Sequence, residues 1–175
     1  MKGRITPTQR EVCLNDDDLI VSKTDLTGRL TYVNRTFMRI SNYPEHALLG
    51  RQHNVVRHPD MPRGVFRLMW ETLKAEREFF GVIKNITSDG DFYWVFANVT
   101  PDRDRAETVS GYFSVRRAVS PAAISAASGL YAQMLEVERR AGPAAAPEAS
   151  LAWLRSNLDG RKLSYERFVL GLYNG

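Results

Sequence analysis

The chain has 175 residues, of which 43% are hydrophobic and 25% charged, with a net charge of +4 and one cysteine. This fits one globular domain with room for a modest second element, and the lone Cys13 excludes a disulfide framework or a thiolate-cluster metal site. No stretch approaches the roughly 20 apolar residues of a membrane span, the start MKGRITPTQR has no signal-peptide core, and the basic residues are scattered, so a reduced, cytoplasmic protein with no nucleic-acid partner is expected.

Residues 1–15 are polar and without periodicity and read as an N-terminal arm or cap; residues 16–118 read as one domain. DLIVSK (18–23) and LTYVN (30–34) are β-prone runs, and Thr27-Gly28 between them signals a hairpin turn. Asn34 is placed to N-cap a short helix in TFMRIS. A second short helix follows Pro44 in PEHALLG and ends at Gly50. RQHNVVRHPDMP (51–62) holds His53, His58 and two prolines and cannot form a long regular element. Pro62 suits the first position of the next helix, because its missing N–H is not needed there. On that helix Val65, Leu68, Met69 and Leu73 form an apolar stripe, with Phe66 and Trp70 beside it.

FFGVIKNI (79–86), DFYWVFANVT (91–100) and TVSGYFSVRR (108–117) then read as three strands, the first two joined by a turn at Ser88-Asp89-Gly90. The order implies an α+β fold: a five-stranded antiparallel sheet with short helices on one face. Residues 119–175 read as a small C-terminal helical appendage, with helices near 121–140 and 148–172 and AGPAAAPEAS (141–150) as a linker.

Strand alternation assigns faces. With Lys84 turned to water, Phe79, Gly81, Ile83 and Asn85 point inward. With Arg116 turned to water, Gly111, Phe113 and Val115 point inward. The middle strand is apolar on both sides, and its smaller set, Tyr93, Val95, Ala97 and Val99, goes inside. Asn85 on an apolar face then needs a partner, either a backbone group or water, or a ligand's polar edge. Phe80, Val82, Trp94 and Phe96 make an apolar outer patch that calls for cover by the arm, the C-terminal helices or a second subunit; a homodimer is expected.

The segments TDLTGRLTYVNRTF, HNVVRHPDMP, MWETLK, GVIKN, DFYWVFAN and SGYFSVR resemble, over about 15–118, the flavin-binding PAS domain of bacterial aerotaxis receptors. HNVVRHPDMP is the specific part, since PAS domains in general do not carry it. The resemblance implies a noncovalent FAD between sheet and helices, whose redox state becomes a conformational signal for a partner, as in aerotaxis and chemotaxis signalling. It places Arg57, His58 and Asp60 around the flavin and Asn85 against the ring. The cationic Arg57, with His53 and His58, suits a pyrophosphate, and Trp70 can wall the cavity. Phe79 stands where family members carry Trp and can still stack on the ring; Asn34 completes the candidate cofactor-binding set. Family members continue into a membrane anchor and a signalling rod, and these 175 residues hold neither.

No nucleophile–base set or Gly-rich phosphate loop is found, so an enzyme with a small-molecule substrate is not expected, and the spacing of His53, His58 and Asp60 gives little support to a metal site. The partner is expected to be a second copy or another PAS or signalling protein. The alternative reading is a cofactor-free or haem-binding PAS interaction module.

Overall fold

The structure is a computed structural model that describes residues 5–174. Its elements are β1 (Ile20–Asp25), β2 (Leu30–Val33), α1 (Arg35–Ser41), α2 (Glu45–Leu48), a 3-10 turn (His53–Val56), α3 (Arg63–Lys74), β3 (Phe79–Ile86), β4 (Phe92–Arg103), β5 (Val109–Arg117), α4 (Pro121–Asp159) and α5 (Tyr165–Asn174). The five strands form one antiparallel sheet in the order β2-β1-β5-β4-β3, so β2 and β3 are its edges.

Local chemistry accounts for the joints. Gly28 turns the first hairpin at φ 83°, and Gly90 turns the β3–β4 hairpin at φ 94°, both in the left-handed region that only glycine adopts without strain. The Asn34 side chain accepts from Phe37 N and starts α1. The N-terminal arm lies along the start of β4, where Thr8 N and Val12 N donate to Gly90 O and Phe92 O and Arg10 pairs with Asp91.

Two expectations are corrected. First, the stretch read as a linker at 141–150 is helical apart from Gly142 (φ 80, ψ 165), which kinks α4. Its alanines favour helix, and Pro143 opens the second half, where its missing N–H leaves nothing unpaired. Pro147 cannot donate to the carbonyl of Pro143, and Arg63 Nη1 takes that carbonyl instead at 2.6 Å. The second predicted helix also breaks at residues 160–164, ahead of α5.

Second, β5 faces the other way. Its register pairs Val99 with Ser114 and Ala97 with Arg116, so Tyr112, Ser114 and Arg116 share the inner face with Ala97 and Val99. Phe113 and Val115 therefore point outward. Arg116 is only 2% exposed, held by Ser22, by His53 and by the Phe37 ring 4.9 Å away. The assignments on β3 and β4 hold: Phe79 pairs with Val99, Gly81 with Ala97, Ile83 with Val95 and Asn85 with Tyr93.

The core runs from Phe37, Leu48 and Val65 through Tyr93 and Val95 to Leu130, Met134, Leu154 and Val169 of the last two helices. The C-terminal helices thus share the core of the sheet domain. They also cover part of the outer patch: Tyr173 stacks on Phe96 at 4.1 Å, and Val82 is fully buried. Among the described residues, no helix is long and apolar enough to cross a membrane.

Candidate functional site: a cavity between sheet and helices

A cavity of about 200 Å³ lies between α3 and the inner face of the sheet. Phe66, Met69, Trp70 and Leu73 wall it from α3; Phe79, Ile83, Ala97 and Val99 wall it from β3 and β4. Polar groups enter at the rim and at both ends: Gln52, His53, Asn54 and Arg57 from the 3-10 segment, Asn85 from β3, and Tyr112, Ser114 and Arg116 from β5. An apolar slot with a few convergent polar groups has the composition of a small-molecule site. Trp70 meets Tyr112 edge to face at 5.4 Å and closes one side.

The charge at the β5 end is unusual. Arg116 donates to Ser22 Oγ and, at 3.0 Å, to His53 Nε2, while its Nε has no partner. Among the described residues no carboxylate lies within ion-pair distance of it. Burial lowers its pKa to about 10, which still leaves it protonated at neutral pH. Burial, with the adjacent guanidinium, pushes His53 down to about 3. His53 is therefore neutral, and because Arg116 can only donate, the His53 proton sits on Nδ1. Tyr93, also fully buried, has a hydroxyl without a hydrogen bond, and burial raises its pKa. A desolvated cation without an anion is a costly arrangement for a protein to keep.

Residues 30–116 match the family described as the PAS fold. The chain is 43% identical over 124 residues to the aerotaxis receptor of Escherichia coli (strain K12), which spans 71% of this chain and 24% of that receptor. This chain carries a PAS domain. Solved structures agree on the fold. A PAS domain from Colwellia psychrerythraea matches at TM-score 0.50 and 18% identity, covering 58% of this chain and 86% of that one. A light-oxygen-voltage domain studied with a flavin analogue matches at TM-score 0.54 and 20% identity, covering 67% and 87%. The chain spans about a quarter of the length of the aerotaxis receptor it matches.

Within the PAS domain the predicted residues divide. His53, Arg57, Trp70, Phe79 and Asn85 all line the cavity. Arg57 and Asn85 are joined by an isolated β-bridge, so the loop segment is fixed to β3 by backbone as well as by side chains. The Arg57 guanidinium lies over the Phe66 ring at 4.3 Å and donates to Met61 O at 3.2 Å. His58 is buried but faces elsewhere: Nδ1 accepts from Asp60 N at 3.1 Å, and Nε2 has no partner. It lines an adjoining open groove of about 850 Å³, together with Arg51, Arg63 and Glu138, and Asn54 and Arg57 border both hollows.

Two candidates line neither hollow. Asp60 is exposed and pairs with Lys84 at 2.7 Å. Asn34 uses its side chain structurally: Oδ1 accepts from Phe37 N and Val21 N, and Nδ2 donates to Leu19 O. The polar lining residues that sequence reasoning missed are Arg116, Ser114 and Tyr112 on the re-phased strand, with Thr24, Gln52 and Asn54.

Proposed function

We propose that this PAS domain binds FAD noncovalently, with the flavin ring in the cavity, and passes the flavin's redox state to a partner as a conformational signal, in the manner of an aerotaxis sensor and without enzymatic turnover. The reading rests above all on Arg116: a buried, protonated guanidinium facing the cavity, without a counter-ion among the described residues, suits a ligand whose ring gains negative charge. The donor set fits the group. Asn85, 4% exposed, offers both a donor and an acceptor to a ring edge that alternates them. Phe66, Trp70, Phe79 and Ile83 give flat apolar walls. The volume, below the roughly 300–1,000 Å³ of a whole ligand pocket, has room for a ring but not for the dinucleotide tail. The adjoining groove carries Arg51, Arg57 and Arg63, which suit a pyrophosphate.

The bound flavin supplies the electron chemistry. The chain's own groups hold a fixed positive charge at Arg116, a neutral imidazole at His53 and an amide at Asn85 that can turn to donate or accept. A change in what they bond to can be transmitted through β3 and β5. Similarity to the aerotaxis receptor, together with the flavin analogue studied in the light-oxygen-voltage neighbour, supports the same reading. His53 is the one histidine among the described lining residues, and its Nε2 is engaged by Arg116 and Ser22, which favours flavin over haem.

The receiving partner is proposed to be a second copy of the chain, seated on the half-buried outer residues Val21, Phe113 and Val115. Purified protein should be yellow and release FAD on heating. Chromatography of the released chromophore decides: FMN alone, haem, or no uptake from excess FAD overturns the reading. Mass measurement in solution tests the dimer separately, and a monomer at high concentration removes it.

A further inference from the structure

We propose that the C-terminal helices α4 and α5 are a working part of the ligand site: they clasp its two walls, α3 and the edge strand β3, and set the distance between them. The proposal rests on the cavity being a flavin site, although the clasp itself is visible without a ligand. The PAS match ends at residue 116, so α4 and α5 lie outside it.

On the α3 side, the helix begins without help of its own. Pro62 makes no side-chain cap, and the first turn has no acidic residue. Glu138 of α4 supplies both: its Oε1 accepts from Gly64 N at 3.1 Å and from Ser150 Oγ at 2.6 Å, and the carboxylate is only 9% exposed. A carboxylate at a helix N-terminus meets unpaired N–H groups and the positive end of the dipole. Gly64 allows this contact, since a Cβ there would come within 2.7 Å of Leu151 N.

On the β3 side, the edge strand leaves the Val82 carbonyl pointing away from the sheet. Tyr131 of α4 donates to it at 2.7 Å, and its hydroxyl meets that of Tyr165 at 2.6 Å. The Tyr165 ring then stacks on Phe79 at 5.9 Å and 17°, and Phe79 is itself a wall of the cavity. α4 and α5 therefore hold the helix wall by its N-terminus and the strand wall by its backbone and its aromatic. An extension that merely filled outer surface would need neither bond.

The test uses the full chain loaded with FAD and two variants that open the clasp from opposite sides. Tyr165→Leu removes the stack on Phe79, and Gly64→Ala pushes α4 off α3 while giving α3 a better helix former. The Tyr165→Phe variant keeps the stack and serves as the conservative rescue. Tyr173→Ala is the control on the same helix, because it loses the stack on outer-face Phe96 instead. FAD dissociation should speed up about two- to tenfold in the two opening variants. It should stay near the wild-type rate in Tyr165→Phe and in Tyr173→Ala. Amide exchange in flavin-free protein should rise over 66–73 and 79–86 together in the opening variants alone. Unchanged dissociation in Tyr165→Leu and Gly64→Ala, or an equal rise in Tyr173→Ala, overturns the clasp. If the wild type takes up no flavin, the flavin reading fails and exchange decides alone: walls no more mobile in the opening variants than in the control overturn the clasp.

Discussion

The two polar ends of the cavity are built on different physics. On β3 the Asn85 amide is neutral, and Arg57, bridged to it by backbone, lays its guanidinium over the Phe66 ring. On β5 the buried Arg116 carries a full charge, neighboured by a neutral imidazole and a hydroxyl. An amide can exchange hydrogen-bond direction at little cost and so can follow a ring whose protonation changes. A desolvated guanidinium cannot, and it biases whatever enters toward negative charge. One end is suited to reading the ligand and the other to setting its charge.

The strongest way to break this comparison is to remove the charge. Arg116→Met leaves similar bulk on β5 without the cation. Replacing an uncompensated buried charge by an apolar group is neutral to stabilising, so flavin-free protein should melt no lower than wild type. The loaded protein should behave in the opposite way: its flavin two-electron midpoint potential should fall by about 30–65 mV, the equivalent of losing a charged hydrogen bond of about 1.5–3 kcal/mol. Spectroelectrochemical titration reads the potential and thermal melting the stability. An unchanged potential would show that Arg116 serves packing alone.

The same strand shows where sequence reasoning stops. β3 was legible because Lys84 does turn outward, over the Phe92 and Trp94 rings and onto Asp60. β5 carries two adjacent arginines, and alternation requires one of them to face inward. Sending Arg116 to water kept Phe113 and Val115 inside, the bland choice. The actual phase is fixed by non-local facts: the register with β4 and the presence of Ser22 and His53 to receive the guanidinium. Turns and caps that depend on neighbours in sequence, such as Gly28, Asn34 and Gly90, were all readable. Residues 141–150 were not, because proline and alanine suit a linker as well as a helix start, and only Arg63 shows which carbonyl is used. The inward direction of His58 away from the cavity depends likewise on the fold of its loop.

A second expected effect is confined to the charged end. His53 titrates near 3 in the folded protein and near 6.5 unfolded. Between those values the unfolded chain binds the extra proton, so stability rises with pH there and is lost as pH falls from about 6.5 toward 3. The slope from this one residue is at most about 1.4 kcal/mol per pH unit. His58, also lowered by burial, adds to it in the same direction. Urea unfolding of wild type and His53→Gln between pH 4 and 7 should show a shallower slope in the variant. Parallel curves would mean that His53 is not shielded as its surroundings indicate.

The smallest effect belongs to the neutral end and sharpens the face assignment. Asn85 and Asn98 are both on the β3–β4 pair but on opposite faces: Asn85 lines the cavity, whereas Asn98 reaches Glu78 at 3.4 Å on the outside. Deleting a hydrogen bond between neutral groups is worth about 0.5–1.5 kcal/mol, so Asn85→Ala should weaken FAD binding by about two- to tenfold. Asn98→Ala should leave it unchanged, and both variants should keep the fold, since neither amide is a cap or a core filler. The midpoint potential should move less in Asn85→Ala than in Arg116→Met, because a neutral group stabilises oxidised and reduced rings more evenly than a cation does. Fluorescence titration with FAD gives the affinities. Equal losses in the two asparagine variants would mean that the amide on β3 does not meet the ligand, and the division of the cavity into a reading end and a charge-setting end would fall with it.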